Sequence, residues 1–449
     1  MSREPGDTSS SRRTPAARTW LTALAAVGAA LVIASCSSTA TSGASSSPTA
    51  SGSGDPLSGI AIPAAFTALT LAPISSPTFP FQGTDGKYHV VYDLQLTNSS
   101  PLPASLERID VVDAFNPGNV LASFSGKQLV DPKCEPGSDC NRLRMLPSAN
   151  ATSAAIPAQQ SRALFIDFTV ASPTATPKAV LHHLYGTGAA NPPAKAATPI
   201  NYLAAPFNIS AGTPRVIGPP VKGNNWIALN GCCEPGWPHR TSLSTFNGKL
   251  TNNQRFAIDW KQVNDQGQFY TGDKTKNESY VDYGANIYAV ADGTVVSILD
   301  TVDANAPGVL PANDPVLGPK LTVENVDGNH IILDIGGGVY AMYAHLIKGS
   351  MTVKPGDTVK KGDVIAKLGN TGNANASHMH FQLMNAAQQF NADGLPYVID
   401  SFTYQGQVPA KLILGADDYL TGKFLTDKLP AGQPRTDQLP LSLAIVDFP

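Results

Sequence analysis

Three observations predict a mostly β chain. Only 14% of the 449 residues are charged, against about 25% in an ordinary globular protein, and glycine (39) and proline (37) are abundant. The apolar residues recur in short alternating runs and not at helical spacing. With 42% hydrophobic residues the chain can bury real cores, and its length allows two or three domains. Lys and Arg (31) nearly balance Asp and Glu (34), and a net charge of -3 excludes a protein that grips a phosphate backbone by counterion release. Nucleic acid is therefore not an expected partner.

From the N-terminus, Arg3, Arg12, Arg13 and Arg18 precede an uncharged apolar run from Trp20 to Ala34. That layout is a secretory signal, and the run is short for a membrane span. It ends in Ile33-Ala34-Ser35-Cys36, which resembles the lipobox of bacterial lipoproteins. Residues 1–36 are accordingly read as a lipoprotein signal peptide with Cys36 as the lipidated residue, and 37–58 as a Ser/Thr/Ala/Gly tether. The expected location is outside the bacterial cell membrane, anchored by lipid and facing the cell wall or periplasm. Export permits oxidation of the remaining cysteines. Cys134 and Cys140 bracket a turn and Cys232 and Cys233 are adjacent, so a short loop plus a vicinal pair, free thiols, or crossed pairing all stay open.

Residues 59–215 carry alternating segments such as Tyr88, Val90, Tyr92, Leu94 and Leu96, and later Leu164, Ile166, Phe168 and Val170. These read as half-buried strands of an immunoglobulin-like β-sandwich. His89, His182 and His183 read as packed or solvated histidines, and the domain as a spacer or binding module.

Residues 216–410 continue in antiparallel β. Two strands around Asp292-Gly293 are expected to form a hairpin, since Asp-Gly is a strong turn signal. Further strands are expected over 330–335 and 339–345, and glycine turns punctuate Val353 through Ile365 before Ser377-His378-Met379-His380-Phe381-Gln382-Leu383. The result is a compact barrel-like sandwich, with 411–449 as a packed tail. In the last segment a strand period of two places His378 and His380 on one face and Met379, Phe381 and Leu383 on the other. Two imidazoles aimed at one point suit zinc chemistry, in which one ligates and the other handles a proton.

Together with Tyr343-Ala344-His345-Leu346 and Gln254-Arg255-Phe256-Ala257-Ile258-Asp259-Trp260, this order resembles the M23 (lysostaphin/LytM-type) peptidases, zinc endopeptidases of peptidoglycan peptides, from about His239 to Tyr404. The resemblance implies a duplicated hybrid motif fold, Zn2+ as cofactor, Asp259 and His380 as metal ligands, and His345 and His378 as catalytic histidines. It implies peptidoglycan peptides as substrate, with cell-wall enzymes as further partners.

One departure matters. The family's first zinc histidine, four residues before the aspartate, is replaced by Arg255, which has no lone pair for a metal. His239 could complete the set His239, Asp259 and His380; a thiolate of Cys232 or Cys233 could replace it; or the site is degenerate and the chain binds or regulates cell-wall hydrolases or peptidoglycan. The reading taken is the first, supported by branches of the family that look similar, with an upstream His-Arg pair. The chain is then a zinc metalloendopeptidase, and Arg255, whose planar fork suits bidentate pairing, is a candidate to bind a substrate carboxylate. A biotinyl- or lipoyl-type carrier, which shares the glycine-turn pattern, lacks here the Met-Lys pair that such a domain needs.

Overall fold

The strand Tyr88–Asn98 shows how the chain is built, because both of its faces are buried. In the computed structural model Val90, Tyr92, Leu94 and Leu96 point into one apolar core with Ile109, Val111, Leu164, Ile166, Val180 and Leu184. Val91, on the opposite face, belongs to a second core that it shares with Phe256, Trp260 and Phe381. The structure describes residues 57–449 except 75–77, 136, 191–194, 413–423 and 425–426, and these fall within one compact unit, Ser53–Pro449. Cys36, the signal peptide and nearly all of the tether lie outside the described residues. Among the described residues helical turns are all short 3-10 turns, and no helix is long and apolar enough to cross a membrane.

The expected sandwich consists of two five-stranded antiparallel sheets. One runs in the order Leu69–Pro73, Tyr88–Asn98, Ser161–Val170, Leu143–Met145, with Phe81–Gln82 paired to Tyr88–Asn98. The other runs Thr198–Asn208, Ala179–Gly188, Ala104–Asp113, Asn116–Ser125, with Ala155–Ile156 beside Ala104–Asp113. The histidines expected to be structural are so: His182 is fully buried, His183 bonds to Asn201 and Tyr185, and His89 stacks on Phe81. The outer face of the first sheet rests on the C-terminal region, where Phe165 packs with Leu243.

The C-terminal region is organised by an eleven-stranded sheet. Its centre runs Asn329–Asp334, Tyr340–Leu346, Met379–Met384, Ile258–Gln262, Gly223–Leu229, Ala444–Phe448. Trp226, Trp260, Tyr343, Met379 and Phe381 form the core on one face, covered by Ile287, Val290, Ile365 and Ala366. Burying each such large side chain contributes about 1.5–3 kcal/mol.

One expectation is corrected here. The strands flanking Asp292-Gly293 do not pair with each other: Asn286–Tyr288 pairs with Val364–Lys367, and Gly293–Leu299 with Asn329–Asp334. Gly293 is needed for close approach, since a Cβ there would meet the Asp334 carbonyl oxygen at 2.5 Å, and Asp292 accepts from the Lys361 N–H at 2.9 Å. Ala444–Phe448 lies between Gly223–Leu229 and Phe402–Gln407, with Ile445 and Val446 buried in different cores.

Candidate active site

Sheet register brings the site together. On the Ile258–Gln262 strand Asp259 lies directly opposite His380, and Ala344 faces His380 from the other side. Because successive side chains alternate, Ile258, Trp260, Met379 and Phe381 fill the core while Asp259 and His380 emerge on the opposite face. His380 Nδ1 is 3.0 Å from Asp259 Oδ1, and its Nε2 is 2.8 Å from Gln382 Oε1. His239 comes from a separate 3-10 turn, His239–Thr241, and presents Nε2 3.4 Å from Asp259 Oδ2. Its Nδ1 donates to the Ala257 carbonyl at 3.2 Å, and its ring lies edge-on to that of His380, 4.8 Å between centroids.

One ring nitrogen of His239, one of His380 and a carboxylate oxygen of Asp259 lie within 4.8 Å of one another, all buried. This donor set fits zinc, which takes imidazole nitrogen and carboxylate oxygen. The remaining nitrogen of each histidine is held by an oxygen, of Ala257 or Gln382, as is usual for ligating imidazoles. The Cys232 and Cys233 alternative is overturned, since these two form a vicinal disulfide and Cys134 pairs with Cys140.

His345 and His378 stand beside the trio, with ring centroids 4.6 Å apart. His378 Nδ1 donates to the Ala376 carbonyl at 2.9 Å and its Nε2 is 3.6 Å from Asp259 Oδ1. His345 Nδ1 donates to the Thr371 carbonyl at 2.7 Å. Strict alternation would point His345 with Tyr343 into the core. An extra residue on the Tyr340–Leu346 strand, opposite Asn329–Ile331, forms a bulge, and His345 adopts a left-handed φ of 62° that turns its ring onto the site.

Charge is distributed unevenly. Burial alone would raise the Asp259 pKa, but His239 and His378, with the hydrogen bond from His380, hold it well below the usual carboxylate range. Burial pushes His239 down to about 4, against the opposing pull of Asp259, and pushes His345 well below and His378 below the ordinary imidazole value. His380 alone is raised: burial opposes its charge, and the Asp259 hydrogen bond and carboxylate overcome it.

Arg255 is corrected. It is 1% exposed, with Nε 3.0 Å from Asp93 Oδ2 and Nη2 3.8 Å from Asp393, so its guanidinium is committed inside the protein and does not meet a substrate carboxylate. Sequence reading missed Asn230, whose left-handed backbone (φ 57°) lets Nδ2 donate to Asp259 Oδ2 at 2.8 Å. It missed Gln382 too, although the period that pairs His378 with His380 continues to 382.

Residues 278–392 match the model of peptidase family M23. That segment contains His345, His378 and His380, while His239 and Asp259 precede it. Among solved structures, the catalytic domain of the antimicrobial peptidase lysostaphin from Staphylococcus simulans is 23% identical, covering 34% of this chain and 80% of its own, with a TM-score of 0.20. A catalytic-domain mutant of a prophage-encoded M23 protein from Enterococcus faecalis is 16% identical, covering 36% and 84%, TM-score 0.20. A zinc-containing peptidase from Vibrio cholerae is 13% identical, covering 72% and 88%, TM-score 0.20. The family match, not these distant likenesses, decides the assignment: the C-terminal region of this chain carries a segment of peptidase family M23 over residues 278–392.

Proposed function

We propose that the protein is a zinc metalloendopeptidase that hydrolyses peptide bonds of peptidoglycan outside a bacterial membrane to which Cys36 anchors it. The observation that carries this reading is the convergence of His239, Asp259 and His380 within 4.8 Å, beside two further buried histidines. His239, Asp259 and His380 would hold the ion. When bound, zinc supplies Lewis-acid chemistry, acidifying water and polarising a carbonyl. The hydrogen bonds of Nδ1 assign His345 and His378 to the Nδ1–H tautomer, which leaves each Nε2 lone pair unprotonated. Their lowered pKa values keep them neutral near pH 7. One of them can take the proton of the attacking water at Nε2 and return it to the leaving amine. Once protonated, that ring also offers an N–H to the oxyanion of the tetrahedral intermediate. No acyl-enzyme is required.

Metal analysis and a cleavage assay test this. Protein purified without chelators is expected to hold about one zinc per chain and to release new amino groups from purified peptidoglycan, with loss of both on chelation. Zinc-loaded protein that binds peptidoglycan without cutting it would instead establish a non-hydrolytic regulator.

A further inference from the structure

We propose that Asp93, a residue of the N-terminal sandwich, is a positioning residue of the metal site, clamping the two turns that set His239. The inference rests on the reading of His239 as a metal ligand. Strand parity turns Asp93 away from the sandwich core, and its side chain is 0% exposed. Its Oδ1 accepts from Arg240 Nη1 at 2.5 Å. Its Oδ2 accepts from Asn252 Nδ2 at 3.0 Å and is ion-paired with Arg255, whose Nε lies 3.0 Å away. Arg240 follows His239 in the same 3-10 turn and also donates to the carbonyls of Tyr92 at 3.2 Å and Ile166 at 3.0 Å. Asn252 and Arg255 belong to the turn that leads to Ala257, whose carbonyl orients the His239 ring. One carboxylate therefore holds the backbone that carries His239 and the segment that fixes its tautomer.

The chemistry favours geometry over adhesion. Val91 and Phe165 already supply apolar contact on this face of the sheet. Burying a carboxylate between two guanidiniums costs desolvation, which apolar packing would avoid, whereas charge-assisted hydrogen bonds fix direction and distance. Arg255, standing where the family carries a metal histidine, thus serves the histidine that replaces it.

The test compares the wild-type protein with Asp93→Asn and with Asp110→Asn, whose carboxylate accepts from Ser123 at 2.6 Å in the other sheet. Zinc affinity is read by competition with a chromophoric chelator, the His239 ring by 15N shifts of the metal-free protein, and folding by circular dichroism. Asp93→Asn is expected to weaken zinc about tenfold or more and to lose the fixed Nδ1–H signal of His239, while Asp110→Asn changes neither. Wild-type affinity and wild-type ring shifts in Asp93→Asn, or equal losses in both variants, overturn the proposal. If the wild type binds no zinc the metal reading fails, and the ring shifts alone decide the clamp. If Asp93→Asn does not fold, Arg240→Lys carries the same two expectations, because an ammonium reaches Asp93 without spanning the Tyr92 and Ile166 carbonyls.

Discussion

The sandwich and the peptidase domain each bury histidines, and they use them differently. His182 in the sandwich is fully enclosed, with Nδ1 donating to the Ala205 carbonyl at 2.9 Å and Nε2 accepting from the Tyr92 hydroxyl at 2.8 Å. Both nitrogens are spent on local partners. In the peptidase domain His239 and His378 each spend Nδ1 on a carbonyl and turn Nε2 toward the one carboxylate of Asp259. Burial alone does not mark a site; nitrogens left over from structural bonding and aimed at one point do.

The sharpest break of this contrast is removal of the shared point. His380→Ala or Asp259→Ala should cost the metal and at least about 10³-fold in hydrolysis, read by metal analysis and amine release, whereas His182→Gln should leave zinc content unchanged. His345→Ala or His378→Ala should retain zinc and lose about 10²–10⁴-fold in kcat. A His378→Ala variant that cuts at the wild-type rate would refute the role given to its Nε2.

Parts of this were legible beforehand and parts were not, for identifiable reasons. The shared face of His378 and His380 follows from strand period, and Asp259 only from the resemblance of Gln254 through Trp260 to the M23 pattern. His345 does not follow from period, because a bulge and a left-handed φ override alternation. Arg255 was legible as a departure but not as a partner of Asp93, since pairing across 162 positions depends on how two domains dock. Alternation along Tyr88–Asn98 predicts a half-buried strand, and the second buried face appears only once a neighbour covers it. The paired strands around Gly293 failed because glycine there answers a steric contact, not a turn.

A smaller test sharpens the contrast through pH. Burial pushes the His182 pKa down to about 4, from about 6.5 in an unfolded chain, despite its carbonyl hydrogen bonds. Between those values the unfolded chain binds more protons, so this contribution to stability is complete above pH 6.5 and is lost as pH falls toward 4. The loss amounts to about 3 kcal/mol, and the difference in unfolding free energy between wild type and His182→Gln should fall by that amount over this window.

His380 titrates in the opposite sense, because its hydrogen bond and ion pair with Asp259, aided by Gln382, overcome burial. Without metal, a protonated His380 donates Nδ1–H to Asp259 and Nε2–H to Gln382 Oε1, which keeps its pKa raised; zinc requires the Nδ1 proton to leave. Zinc affinity should therefore fall as pH drops below the raised value, by up to about tenfold per unit for this single proton. Gln382→Met removes the Nε2 acceptor while keeping the apolar volume. It should weaken zinc about tenfold at pH 8 and move the acid loss of zinc to lower pH, because the imidazolium has lost one of its two partners. A packing defect would weaken binding without moving that pH, so a chelator-competition titration from pH 5 to 8 separates the two.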